Sequence, residues 1–175
     1  PTDALRIHEE VLELNSNLTA IGRLRTVLEH LVMFSYLKFL FDRRPQGLAS
    51  VAFMLDGPLA LFGPQAPLKR AMLSYLQDAA ASLAARGYDP PLIIGIEKSG
   101  QFADHAAQLQ QHLPNGHLMR LPDNYIFTRV LTTRSVGAGA FGEDTYYGRK
   151  FFYKSSTGQI FTITIPCLKS SLLGQ

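Results

Sequence analysis

The sequence predicts an α/β protein with a long amino-terminal helical arm and a carboxyl-terminal β-hairpin. Three observations point there. Apolar residues recur at helical spacing from Leu24 through Val27, Leu28 and Leu31 to Phe34. Two apolar runs, Ser50–Asp56 and Leu92–Glu97, flank a stretch of helical periodicity. Two later runs, Tyr146–Lys154 and Gln159–Ile165, flank Ser155-Ser156-Thr157-Gly158, which is a hairpin signal.

The arm comes first. Thr2 and Asp3 are suitable caps, and Glu9, Glu10 and Glu13 lie near the positive end of a helix starting there. Asn15-Ser16-Asn17 interrupts it, with a fresh start near Ser16, and Pro45 and Gly47 close it. Residues 1–47 are therefore expected to serve as a core or dimerisation element, and residues 48–175 as the main domain. After the Ser50–Asp56 strand, a loop with Pro58, Gly63 and Pro64 leads to Pro67, which suits the first turn of a helix. That helix is expected to run to about Arg86 with Ala71, Leu73, Leu76 and Ala79-Ala80 on its apolar face, and to stop at Gly87. Strand Leu92–Glu97 follows Pro90-Pro91, then a helix Gln101–Leu113 ending at Pro114-Asn115-Gly116. Strand, helix, strand, helix implies a parallel pair with a right-handed crossover. Gly116–Pro122 reads as a short strand or loop, and Asn124–Leu131 as a short helix capped by Asp123 or Asn124. The Gly-, Ser- and Thr-rich segment 132–145 reads as a mobile loop.

Composition narrows the function classes. The chain has 175 residues, 46% hydrophobic, enough for a real core. No membrane span is expected, because the best candidate, Leu31–Phe41, is too short and contains Lys38. No secretory leader pattern opens the chain, and starting at Pro1 it reads as part of a longer protein. A single cysteine, Cys167, excludes an internal disulfide and a Cys-rich zinc site, and it fits a reducing cytoplasmic location. Basic residues gather late: 10 Lys/Arg against 11 Asp/Glu through Met119, then 7 against 3. That asymmetry suits a polyanion contact toward the carboxyl end.

Two strand-end acids carry the chemistry. Asp56 ends the first apolar run just before Gly57-Pro58, and Glu97 ends the second just before Lys98. Ligands of open α/β sheets bind at the carboxyl edge of the strands. Asp123, at a helix start, is the expected third acid, with Asp104 as its competitor. Three such carboxylates suit Mn²⁺ or Mg²⁺, which prefer oxygen ligands and hold phosphate oxygens at the same time. Lys98 is placed to neutralise a phosphate or a developing negative charge. Arg149, Lys150, Tyr153 and Lys154 interleave cations and rings on one strand, a pattern suited to nucleic acid. The alternation is expected to put one face of this strand in the core and to carry Lys150 and Lys154 on the other. His105 and His112 are seven residues apart on one helix, too far to share a metal ion. No P-loop, dinucleotide fingerprint or nucleophile elbow occurs.

The order of these pieces resembles the NurA nuclease domain. The residues that carry the likeness are Phe53-Met54-Leu55-Asp56-Gly57-Pro58-Leu59, Ile93-Ile94-Gly95-Ile96-Glu97-Lys98-Ser99 and Leu121-Pro122-Asp123-Asn124-Tyr125-Ile126-Phe127. The late strands Phe151-Phe152-Tyr153-Lys154 and Phe161–Pro166 extend it, so that it covers roughly residues 49–166. The resemblance implies a ribonuclease H-like mixed sheet flanked by helices. It also implies a manganese-supported deoxyribonuclease that processes DNA ends beside a HerA-type hexameric helicase, and a homodimer. Its metal ligands would be Asp56, Glu97 and Asp123. The family's late segment with a Tyr and an Ala-His pair has no counterpart here, which implies a site incomplete at its carboxyl end. Two alternatives stand beside the nuclease: a non-catalytic DNA- or helicase-binding partner of the same fold, and a small-molecule phosphohydrolase.

Overall fold

The computed structural model describes residues 17–131 and 141–168. The expected caps Thr2 and Asp3, the acids Glu9, Glu10 and Glu13, and positions 132–140 of the Gly/Ser/Thr-rich segment lie outside these residues.

Helix α1 spans Asn17–Arg43 without a break. It buries Ala20, Val27, His30, Met33 and Leu37, spaced by threes, fours and sevens so that they share one face. A 3-10 segment, Pro45–Ser50, follows. It claims Ser50, so strand β1 is shorter than expected and spans Ala52–Asp56. Gly57, at φ 142°, turns the chain directly after Asp56.

Helix α2 spans Leu68–Ala85 and buries Met72, Leu76, Ala79, Ala80 and Leu83. Ala71, expected on that face, is exposed. Met72 takes the position because it packs with Val27 and Leu61. Gly87 ends the helix as predicted: at φ 78° its N–H bonds the Ala84 carbonyl and the Tyr88 N–H bonds the Leu83 carbonyl. This pair of bonds is the Schellman arrangement, which satisfies carbonyls that the last turn leaves open.

Strand β2 spans Leu92–Glu97, the bounds the sequence predicts. Helix α3 spans Gln101–Gln108, shorter than expected, with irregular turns carrying the chain on to Leu113. Strand β3 spans Leu118–Arg120. A single turn of helix, α4 (Asp123–Tyr125), widens into a π-helical turn at Ile126–Val130, where a regular helix was expected. Pro122 occupies its N-cap position, without a side-chain capping bond, so neither Asp123 nor Asn124 plays that part. Strands β4 (Gly148–Lys154) and β5 (Ile160–Pro166) form the expected hairpin.

The five strands make one mixed sheet in the order β1-β2-β5-β4-β3. β2 pairs antiparallel with β5, β5 with β4, and β4 with β3. The chain divides into two compact units, one containing residues 17–53 and 60–92, the other residues 54–59 and 93–167. In the first unit, Leu31, Phe34 and Leu68 pack around Val27, Leu61 and Met72. The core of the second is formed by Phe102, Ala106, Leu121, Ile126, Val130 and Phe152, which seats α3 against one face of the sheet. Among the described residues no helix is long and apolar enough to cross a membrane.

Candidate functional site

Asp56 is the last residue of β1, and Lys98 follows the last residue of β2. Lys98 Nζ lies 3.1 Å from Asp56 Oδ1. Because β1 and β2 are neighbours in the sheet, this contact sets their carboxyl ends side by side at one edge. Asp56 and Glu97 therefore share that edge, as strand-end placement predicts. Both members of the Asp56–Lys98 pair are largely exposed, so water screens it and it contributes little to stability.

Glu97 faces inward to a different lysine. The register sets Gly95 opposite Thr164 and Glu97 opposite Thr162, and then Thr164 opposite Lys150 and Thr162 opposite Phe152. Side chains alternate across a sheet, so Glu97, Thr162, Thr164, Lys150 and Phe152 lie on one face. Lys150 reaches across β5, and its ammonium donates to Glu97 Oε1. Only 1% of the Lys150 side chain and 13% of the Glu97 side chain are exposed. The Phe102 and Tyr146 rings close over the ammonium, with centroids 4.2 Å and 4.6 Å away, a cation–π arrangement. Burial lowers the Lys150 pKa and the Glu97 carboxylate opposes that shift. Burial raises the Tyr146 pKa, and the charge of Glu97 adds to the rise. The Thr162 and Thr164 hydroxyls are buried on the same face, with no hydrogen-bond partner among the described residues.

Asp123 stands apart from this edge. It pairs with Arg149, Oδ1 to Nη1 3.6 Å. Following the antiparallel pairings, β4 runs with β2 and β3 runs against it. The chain leaving β3 toward Asp123 thus heads away from the edge that bears Asp56 and Glu97. With β5 and β4 between them, β2 and β3 are three strand spacings apart, about 14 Å. Among the described residues no three or more His, Cys, Asp and Glu side chains are grouped to hold a metal ion. The expected three-acid set is thus divided: two acids at one edge, the third in an ion pair of its own. Asp104, its expected competitor, is exposed in the first turn of α3.

The expected nucleic-acid track is divided as well. Lys150 is buried against Glu97, and Arg149 pairs with Asp123. Tyr153 is exposed on the opposite face of β4. Lys154 donates to the Gln110 carbonyl at 2.6 Å. The lysine-bearing face of β4, expected to be open, is the face that α3 and Tyr146 cover near Lys150. Beside Lys154 the structure adds residues that the sequence reading passed over. Gln108, Gln110, Gln111 and Gln159 line a groove between the end of α3 and the β4–β5 hairpin. The run Gln108-Leu109-Gln110-Gln111 is the sequence signal for it.

No protein family, curated protein or solved structure matches the chain.

Proposed function

We propose that the chain is a metal-dependent deoxyribonuclease that processes DNA ends beside a HerA-type hexameric translocase. The observation that supports this reading best is the 3.1 Å contact between Lys98 and Asp56, with Glu97 at the same sheet edge and held there by Lys150. Asp56 and Glu97 are the carboxylates for Mn²⁺ or Mg²⁺ in this reading. Two suffice for an ion that keeps several waters and takes further ligands from substrate phosphate. Such an ion, when bound, activates water and stabilises the leaving oxygen. Lys150 holds the Glu97 carboxylate in place. Lys98, exposed and loosely paired, exchanges Asp56 for a phosphate oxygen of the substrate. The five-strand mixed sheet flanked by helices is α/β, the class to which the proposed ribonuclease H-like architecture belongs. Exposed Leu28, Val32, Tyr36 and Phe39 on α1 support the pairing of two copies along the helical arm.

The test is degradation of end-labelled DNA by the full chain with and without Mn²⁺. Cleavage that needs the ion and disappears in Asp56→Asn and Glu97→Gln supports the reading; undiminished cleavage in those variants sinks it. One observation favours a second reading, a non-catalytic DNA- or translocase-binding partner. Asp56, Glu97 and Asp123 each already have a cationic side chain beside them. That reading predicts salt-sensitive DNA binding with no cleavage under any divalent ion.

A further inference from the structure

The groove beside Lys154 has a volume of about 990 Å³, the upper end of the roughly 300–1,000 Å³ typical of ligand clefts. Its walls are fixed from both sides. Lys154 Nζ donates to the Gln110 carbonyl at 2.6 Å, Gln110 Nε2 to the Gly158 carbonyl at 3.1 Å, and Asn115 Nδ2 to the Ser156 carbonyl at 3.2 Å. Gly158, at φ 88°, makes the tight turn that lets the hairpin fold back to these partners.

The chemistry of the lining is mostly amide. Gln108, Gln111 and Gln159 are exposed in it, each side chain offering two donors and an acceptor. Lys154 is the one charged residue among the lining residues described, and no carboxylate is among them. One cation is too few to track a duplex backbone. Several amides beside one cation match a nucleotide, whose base presents paired donors and acceptors and whose phosphate takes the lysine. Unpaired bases can be splayed out to meet such groups, whereas stacked duplex bases cannot.

Position links the groove to the acid edge. Glu97 is level with Thr162 and Phe152. From that rung β4 runs on to Lys154, and β5 has already begun at Ile160. The hairpin therefore rises from the edge that bears Asp56 and Glu97, and α3 starts just after Lys98. We infer that the Gln108–Gln111–Gln159 groove holds unpaired nucleotides of a single DNA strand that passes the Asp56–Glu97 edge. This rests on the nuclease reading and adds a strand preference to it.

The test is fluorescence anisotropy on the full chain without divalent ions. The probes are a labelled single-stranded oligonucleotide of about 10 nucleotides, within the usual single-strand site sizes, and the same sequence as a duplex. The single strand is expected to bind more tightly. Gln108→Ala with Gln111→Ala, both exposed and outside the core, should weaken its binding about tenfold. Lys154→Ala should reduce the slope of log K against log salt by about 0.7. Binding that the glutamine substitutions leave intact, or a preference for duplex, overturns the groove assignment alone. A wild-type chain that binds neither probe overturns the DNA reading beneath it as well.

Discussion

Lys150 crosses β5 to hold Glu97 in a buried ion pair, roofed by the rings of Phe102 and Tyr146. Two charges taken out of water are tolerable only together. Lys150→Met should leave the Glu97 charge uncompensated and destabilise the fold by about 3 kcal/mol, at the lower end for broken buried pairs because Glu97 keeps some contact with solvent. The double change Lys150→Met with Glu97→Leu should recover most of that loss. Urea unfolding of the two variants and the wild type checks it.

The Asp56–Lys98 pair should behave oppositely. Both side chains are exposed, so Asp56→Asn and Lys98→Ala should each change stability by less than about 0.5 kcal/mol. Thermal unfolding is the measurement. A strand-end acid that folding does not need fits the site role proposed for Asp56.

Gly95 has no side chain because there is no room for one. A Cβ there would lie 2.5 Å from the Gly57 carbonyl oxygen and 2.9 Å from the Leu59 N, both backbone atoms of the turn that follows Asp56. Gly95→Ala should push this turn away and destabilise the protein by about 1–3 kcal/mol. The melting temperature should fall, and any Mn²⁺-supported cleavage should fall with it.

His30 gives the first unit a pH dependence. Its Nδ1–H donates to the Thr26 carbonyl at 2.7 Å. Burial lowers its pKa below 6.5, partly offset by that bond and by the charge of Glu29. The unfolded chain therefore takes up the proton first as pH falls. Stability is complete above about pH 6.5 and declines below it, until the folded-state pKa is passed. His30→Gln should flatten this dependence, measured as the difference in unfolding free energy between pH 7 and pH 5.

The legible part of this structure was local. Apolar runs closed by Asp56-Gly57 and by Glu97-Lys98 are strand ends whatever the sheet order, and Gly87 and Ser155–Gly158 carry their own turn chemistry. The two acids of the candidate edge were readable for that reason. Asp123, expected as the third acid of that edge, lies elsewhere, because its distance from Glu97 depends on β5 and β4 lying between β2 and β3. Nothing local encodes a strand order that departs from chain order. Lys150 illustrates the same limit. Period-two alternation correctly put Lys150 and Lys154 on one face of β4, but which face is covered depends on α3 and on Glu97, a partner 53 residues away. The π-helical turn at Ile126–Val130 likewise has no distinct apolar period to announce it.

In the proposed nuclease the acids at one sheet edge, Asp56 and Glu97, form the site and Asp123 does not. The most direct measurement is cleavage of labelled DNA with Mn²⁺ by Asp56→Asn and Asp123→Asn compared in parallel with the wild type. Near-complete loss in Asp56→Asn, with Asp123→Asn retaining most of the wild-type rate, is the predicted result. Equal loss in both variants, or full activity in Asp56→Asn, would contradict it.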